Sequence, residues 1–169
     1  MKKIMSKIAT LAAIFMLGSF AFAEGYISAN DLQKGNVTDV LKCEDDFTII
    51  ATPEKNVEIT SQSQDCPCEA NGEVFTQRIK IGGAGKVDYR SISFPAKAGQ
   101  KVTVAAKSSS KTEARVVNLL DAEGAVIASG EAGAYPEAIT VSELTIPADG
   151  TYYITSKKST IYVYLIEVK

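Results

Sequence analysis

Closely spaced cations are the residues of this chain best suited to binding chemistry. Arg78 and Lys80 lie two positions apart in FTQRIKIGGAGKVDYRSISF, residues 75–94, and Arg90 follows later in the same segment. Side chains two positions apart share one face of a β-strand, so Arg78 and Lys80 present adjacent positive charges. Phe75, Gln77 and the following isoleucines fall on the opposite face. The pattern favours a sheet surface that holds an anionic or polyhydroxylated ligand.

A fourth cation, Arg115, shares a strand face with Val117 and Leu119 and must find a partner or reach a sheet rim. Each cation also has a structural interpretation. Arg78 and Lys80 could occupy an ordinary solvated sheet face, and Arg115 could form an ion pair with Asp88 or Glu113. The sequence leaves these alternatives open.

The aromatic residues add a weaker signal. The chain has seven tyrosines and no tryptophan, which favours recognition by hydrogen bonds and charge over a flat stacking platform. Tyr89 and Tyr135 lie beside turns and are the best placed to meet a ligand. Tyr152, Tyr162 and Tyr164 alternate with aliphatic residues and are expected in the core or half-buried.

No catalytic residues are predicted. The chain lacks histidine, which removes every Ser-His or Cys-His arrangement and the commonest general base. Asp45 and Asp46 are interpreted as solvated loop charges. The GGAGK segment departs from a phosphate loop, since Lys80 stands where glycine is required and Val87 where a magnesium-binding hydroxyl is required. No cofactor is predicted; calcium stays possible, although no acidic spacing resembles a dedicated loop.

Three cysteines suit an oxidising compartment. A disulfide from Cys43 to either Cys66 or Cys68 is expected, and the sequence does not choose between them. The remaining thiol is free or pairs with another molecule. Without histidine, three cysteines make a zinc site improbable.

The N-terminus has the features of an export signal. Lys2, Lys3 and Lys7 precede an apolar run, and Ala21-Phe22-Ala23 supplies small residues for cleavage. We therefore expect a signal peptide over residues 1–23 and a secreted or periplasmic protein; a retained anchor helix is the alternative. Cleavage would leave about 146 residues, enough for one domain. Loss of three lysines would change the formal charge of −2 to about −5, a poor balance for nucleic-acid binding.

The remaining pattern is strands and turns. Residues 24–46 form a lead-in, with one short helical turn near residues 28–32, and residues 47–169 form a β-sandwich domain. A glycine hairpin is expected at residues 82–85, and a bulged hairpin at residues 121–124. The final strand, residues 161–168, is apolar on both faces and is expected to be central. The fold class is all-β, an antiparallel β-sandwich or jelly roll of roughly nine to ten strands.

Several segments in succession are similar to a known family. FTQRIKIGGAGKVDYRSISFPA, EARVVNLLDAEG and TIPADGTYYITSKKSTIYVYLIEV resemble the β-sandwich module appended to bacterial pectate lyases and related secreted polysaccharide-degrading proteins. FTIIATPEKNVEIT resembles the strand pair that opens that module. The resemblance covers nearly the whole chain after residue 23, in the family's order.

The resemblance implies a non-catalytic protein that binds acidic plant cell-wall polysaccharide such as pectin. The polar positions of the family's motif match Gln77, Arg78, Lys80, Arg90 and Arg115. The resemblance implies that the cations among them contact uronate carboxylates. Together with Tyr89, these are the predicted ligand-binding residues. The alternative is a structural or cell-surface protein that uses the same sandwich for protein contact, with the spare thiol linked to a partner. In that case a polysaccharide ligand is not needed.

Overall fold

The computed structural model describes residues 24–69, 71–135 and 138–169. The predicted signal peptide, residues 1–23, lies outside the described residues. The described chain folds into two antiparallel sheets packed face to face, which confirms the predicted β-sandwich. No helix in these three ranges is long and apolar enough to cross a membrane.

The described residues form thirteen strands and one 3₁₀ turn. In chain order the strands are β1 Gly25–Ser28, β2 Gly35–Val37, β3 Leu41–Lys42, β4 Thr48–Ile50, β5 Val57–Pro67, β6 Val74–Ile81, β7 Ser91–Ala96, β8 Lys101–Ser108, β9 Arg115–Leu120, β10 Val126–Ala132, β11 Thr140–Thr145, β12 Gly150–Ser156 and β13 Ile161–Val168. One sheet has the order β11-β8-β13-β6-β5-β2, with β1 also paired to β13. The other has the order β10-β9-β12-β7-β4-β3.

The lead-in contributes strands to both sheets. β1 pairs with β13, β2 pairs with β5, and β3 pairs with β4. The expected helical turn is present as the 3₁₀ turn Ala29–Asp31, where the Ser28 hydroxyl accepts a hydrogen bond from the Asn30 amide at 3.3 Å. These short strands explain why the strand count exceeds the predicted nine to ten.

The glycine segment after β6 is not a hairpin, and that prediction was wrong. β6 belongs to the seven-stranded sheet, whereas β7 belongs to the six-stranded sheet, so the connection carries the chain from one layer to the other. Gly83 has a φ of +134°, which an L side chain rarely adopts. The tight turn lies further along, where Lys86 and Tyr89 form a local antiparallel bridge.

The predicted bulged hairpin and the predicted central position of the last strand are confirmed. β9 and β10 form an antiparallel hairpin with a register shift between Val126 and Ala128, and Gly124 takes a φ of +83°. β13 is central, with β8 on one side and β6 and β1 on the other. The main core lies between the two sheets and includes Phe47, Ile79 and Ile154.

A second apolar cluster lies on the outer face of the seven-stranded sheet. Its buried members are Cys66, Cys68, Phe75, Ala105, Ile139, Tyr164 and Leu165. Ala105 lies between two core-facing residues of β8, so it points away from the core, and Leu165 pairs with it. Phe75 packs against Tyr164 with ring centroids 5.4 Å apart. Phe75 and Ile79 thus belong to different clusters, so the expectation that they share a face was wrong. The pairing of β5 with β6 shifts in register between Ser61 and Cys66, and Cys66 lies opposite Phe75.

Candidate functional site

A polar patch adjoins the second cluster on the outer face of the seven-stranded sheet. We call it the Arg78 patch, and it consists of Glu58, Thr60, Gln62, Arg78, Lys80 and Tyr162. Strand register creates it, because Glu58 pairs with Lys80 and Thr60 pairs with Arg78 across β5 and β6. On the other side of β6, Tyr162 pairs with Lys80. Three adjacent strands thus place six polar or aromatic side chains together.

Arg78 is the centre of this patch. Its guanidinium carbon lies 3.9 Å from the centroid of the Tyr162 ring, a cation–π geometry. Its Nε donates to Thr60 Oγ1 at 3.2 Å, and its Nη1 donates to Gln62 Oε1 at 3.0 Å. These partners are neutral, so they orient the guanidinium without cancelling its charge. Nη2 makes no hydrogen bond to the described residues.

Lys80 lies beside Arg78 and is paired with an acid. Its Nζ lies 2.8 Å from Glu58 Oε1, and the two side chains are 33% and 36% exposed. Such half-exposed pairs contribute little to stability, about 0–1 kcal/mol. Arg78 and Lys80 carry two positive charges and Glu58 one negative charge, which leaves the patch with one excess positive charge. The pair also fixes the position of the Lys80 ammonium.

A hydrogen-bond chain connects the patch to the second cluster. Gln62 accepts from Arg78 and its Nε2 donates to the Tyr164 hydroxyl at 2.6 Å. Burial, together with the nearby Cys66 thiol, raises the pKa of Tyr164 well above its ordinary value of 10.0. Tyr164 therefore stays protonated at neutral pH. The hydrogen bonds from Arg78 through Gln62 to Tyr164 support the Arg78 guanidinium.

Gln77 does not join the Arg78 patch. Its Nε2 donates to the backbone carbonyls of Asn30 and Leu32, at 3.0 and 3.3 Å. The side chain therefore ties β6 to the 3₁₀ turn of the lead-in. In the described structure Gln77 serves the fold rather than the exposed face.

Tyr89 and Arg90 lie in the connection between β6 and β7. The Arg90 guanidinium reaches back to the end of β6, because a Cβ on Gly82, two residues after Lys80, would lie 3.8 Å from its Nη2. Arg90 has a φ of +50°, which is uncommon for a residue with a side chain. Its Nε donates to the Asn56 carbonyl at 3.4 Å. A Cβ on Gly83 would lie 3.0 Å from Arg90 Nη1, so the guanidinium occupies space that this glycine leaves open.

Arg115 lies at the start of β9 in the six-stranded sheet. Its Nη1 donates to Ser109 Oγ at 2.7 Å and to the Thr160 carbonyl. The partner is therefore a pair of neutral loop oxygens, and no ion pair with Asp88 or Glu113 is present. Arg115 joins the loop after β8 to the loop before β13. The structure thus brings Arg78 and Lys80 together in the patch and places the Arg90 guanidinium beside the turn that follows β6. Gln77 and Arg115 have partners in the fold, and Tyr89 lies in the connection between β6 and β7.

The predicted disulfide is not formed, and all three described cysteines are free thiols. The physical reason is their position: Cys43 packs against the main core, whereas Cys66 and Cys68 belong to the second cluster. Burial raises the pKa of the half-buried Cys43 thiol above its ordinary value of 9.0. Cys66 and Cys68 are buried, which leaves neither exposed for a bridge to a partner molecule.

Glu58, Thr60, Gln62 and Tyr162 were not among the predicted site residues. Glu58 and Thr60 alternate along β5 on the same side as Arg78 and Lys80, and that alternation was a usable signal. Gln62 continues the same alternation two positions after Thr60, although the pairing of β5 with β6 shifts in register between Ser61 and Cys66. Tyr162 was expected in the core or half-buried, and it is half-buried under Arg78 and against the second cluster; its role as a platform for the guanidinium was not predicted.

Within residues 24–69, 71–135 and 138–169, no group of three or more His, Cys, Asp or Glu side chains is placed to hold a metal ion. The arrangement on the Arg78 patch can accept a carboxylate or hydroxyl group by hydrogen bonds. It offers no nucleophile with an adjacent base.

No family model and no curated protein matches the chain. Among solved structures, the chain is similar to a carbohydrate-binding module CBM36 in complex with calcium and xylotriose, with 13% identity, a TM-score of 0.44, and coverage of 86% of this chain and 99% of that one. A CBM22-1 xylan-binding domain from Paenibacillus barcinonensis Xyn10C gives 9% identity, a TM-score of 0.45, and coverage of 88% and 96%. These likenesses are remote.

Proposed function

We propose that the protein is a non-catalytic polysaccharide-binding β-sandwich and that the Arg78 patch contacts acidic sugar residues of the ligand, such as the uronates of pectin. The observation that carries the proposal is the geometry of Arg78. Its guanidinium lies over the Tyr162 ring and is fixed by two neutral hydrogen-bond partners. A guanidinium that is already fixed in position and has free N–H donors can bind a carboxylate with little further loss of side-chain entropy.

The neighbouring groups suit a chain-like ligand. Lys80, Glu58 and Thr60 lie side by side on the same face, so they offer donors and acceptors to hydroxyl groups next to the bound carboxylate. Because this surface lies on paired strands rather than on a loop, it is rigid before the ligand arrives. The excess positive charge of the patch opposes the net negative charge of the whole chain, so recognition depends on local contacts.

The test is affinity electrophoresis in gels containing polygalacturonate, followed by isothermal titration with acidic oligosaccharides. We expect the protein to be retarded by the acidic polymer and Arg78→Ala to lose about tenfold or more in affinity, because a hydrogen bond to a charged group contributes about 1.5–3 kcal/mol. Lys42→Ala is the matched control, since it removes one positive charge from an exposed position on β3 of the other sheet.

Two outcomes contradict the assignment of acidic-polysaccharide binding to the Arg78 patch. In one, the folded protein is retarded by no acidic polymer. In the other, Arg78→Ala and Lys42→Ala weaken binding equally, which would assign the effect to net charge alone. New reducing or unsaturated ends after incubation with pectin would contradict the non-catalytic part of the proposal.

A further inference from the structure

A buried lysine and a buried cysteine lie in direct contact inside the second cluster. Lys107 Nζ lies 3.0 Å from Cys66 Sγ, and the two residues are only 4% and 5% exposed. Cys66 belongs to β5 and Lys107 to β8, with β13 and β6 between these strands in the sheet order. At about 4.8 Å per strand spacing the two would lie about 14 Å apart in a flat sheet. The far end of β5 therefore curls over the outer face to reach β8.

The surroundings hold both groups in place. The Tyr135 ring lies with its centroid 5.8 Å from Lys107 Nζ, within cation–π range. Cys66 pairs with Phe75 across β5 and β6, and both residues belong to the second cluster. A surface lysine samples many rotamers, but this one is confined with its nitrogen against a single sulfur. Proximity of this kind greatly accelerates a reaction between two groups.

We propose that Cys66 and Lys107 form an oxidative crosslink site that joins β5 to β8 through a sulfur–nitrogen bond. The oxidant is a peroxide. The Cys66 thiol and hydrogen peroxide first give the sulfenic acid and one water. The Lys107 amine then attacks the sulfenic sulfur, so that an S–N bond forms, the S–O bond breaks, and the hydroxyl leaves as water with one amine proton. The net change is loss of two hydrogens from the protein while peroxide is reduced to two waters.

The competing product is a disulfide between Cys66 and Cys68, since both thiols belong to the same cluster. Sulfenic acids condense with thiols as well as with nitrogen. Lys107 is favoured because its nitrogen already lies in contact with the sulfur. Thiol reductants cleave the S–N bond, so the crosslink on the outer face of the sheet is reversible.

The test is non-reducing tryptic digestion and tandem mass spectrometry of the full chain after treatment with hydrogen peroxide. Trypsin normally cleaves after Lys107, and blocking its amine prevents this. The expected product joins residues 56–78, which contain Cys66, to residues 102–111, at two hydrogens below the summed mass. Cys68→Ser removes the competing thiol and should raise the yield of this product.

Matched variants separate chemistry from folding. Cys66→Ser and Lys107→Arg should each abolish the product, and thermal melts establish that each variant is folded before treatment. Lys101→Arg, at the exposed start of the same strand, should leave the product unchanged. The proposal is overturned if folded Cys68→Ser gives only sulfinic or sulfonic Cys66. It is also overturned if the product forms equally in urea-unfolded protein, or if it carries one additional oxygen, which would indicate an N–O–S bridge.

Discussion

Replacing Glu58 with glutamine should strengthen binding of an acidic polysaccharide. Glu58 supplies the one carboxylate of the Arg78 patch, where its Oε1 lies 2.8 Å from Lys80 Nζ. Glutamine keeps the same shape and an acceptor oxygen for Lys80 but removes the negative charge. The change therefore raises the excess charge of the patch from one to two while leaving its hydrogen bonds in place.

The expected size follows from the strand geometry. Neighbouring positions on paired strands are about 5–7 Å apart, so a ligand carboxylate bound by Arg78 would lie about 6 Å from the Glu58 carboxylate. Two like charges at that separation repel by about 0.7 kcal/mol in water, which corresponds to about a threefold change in Kd. Because the ion pair is about a third exposed, its loss should cost at most about 1 kcal/mol of folding stability.

Isothermal titration at low and high salt measures both parts of the prediction. Glu58→Gln should bind acidic oligosaccharides about threefold more tightly at low salt, and the gain should shrink as the Debye length falls to about 3 Å near 1 M salt. Neutral oligosaccharides should show no gain. Weaker binding of the acidic ligand by Glu58→Gln would refute the reasoning, because it would show that the Glu58 carboxylate gains more as a charged hydrogen-bond acceptor than it costs by repulsion.

Three further predictions concern stability. Gly85→Ala should lower the free energy of unfolding by about 1–3 kcal/mol or more, since its Cβ would lie 2.2 Å from the Arg90 carbonyl oxygen. Gly35→Ala is the control: its Cβ would meet nothing within 4 Å, so it should be neutral or stabilise by up to about 1 kcal/mol. Urea melts in which the two variants change stability equally would contradict this. Because burial raises the folded-state pKa of Tyr164, its contribution to stability is complete below pH 10.0, the ordinary pKa, and is lost as the pH rises above that value. In urea melts the stability of Tyr164→Phe should therefore fall less steeply with rising alkaline pH than that of the parent protein. Equal falls in stability would oppose the assignment. Arg115→Ala should lower the free energy of unfolding by about 1–3 kcal/mol, because two hydrogen bonds to loop oxygens are lost. Its affinity in the polygalacturonate gel should not change. Weakened binding at unchanged stability would show that Arg115 contacts the ligand.

Sequence reasoning succeeded where a pattern is local. The apolar run Ile161–Val168 predicted a central strand because both of its faces must be buried, and β13 has neighbours on both sides. Gly124 predicted the bulged hairpin because that turn needs a positive φ. The adjacency of Arg78 and Lys80 follows from the two-residue period of a strand alone.

Long-range contacts are what the sequence did not reveal. The glycine segment after β6 has the composition of a hairpin, but pairing partners elsewhere in the chain assign β6 and β7 to different sheets. The partners of Arg115 lie in loops next to β8 and β13 of the other sheet, so the contact depends on how the two sheets pack. Similarly, Lys107 is an unremarkable polar residue in KVTVAAK, and its burial depends on the curled end of β5.

The pairing of the first strand with the last has a practical consequence. Gly25 lies opposite Val168, so the two ends of the described fold are neighbours. Tyr162 is six residues back along β13, which places the Arg78 patch about 20 Å from that edge. A tag or bead attached at either end would therefore orient the molecule in the same way and leave the patch facing outward. A short linker between these ends, with new termini opened at the exposed turn at residues 121–124, should yield a circular permutant with an intact patch.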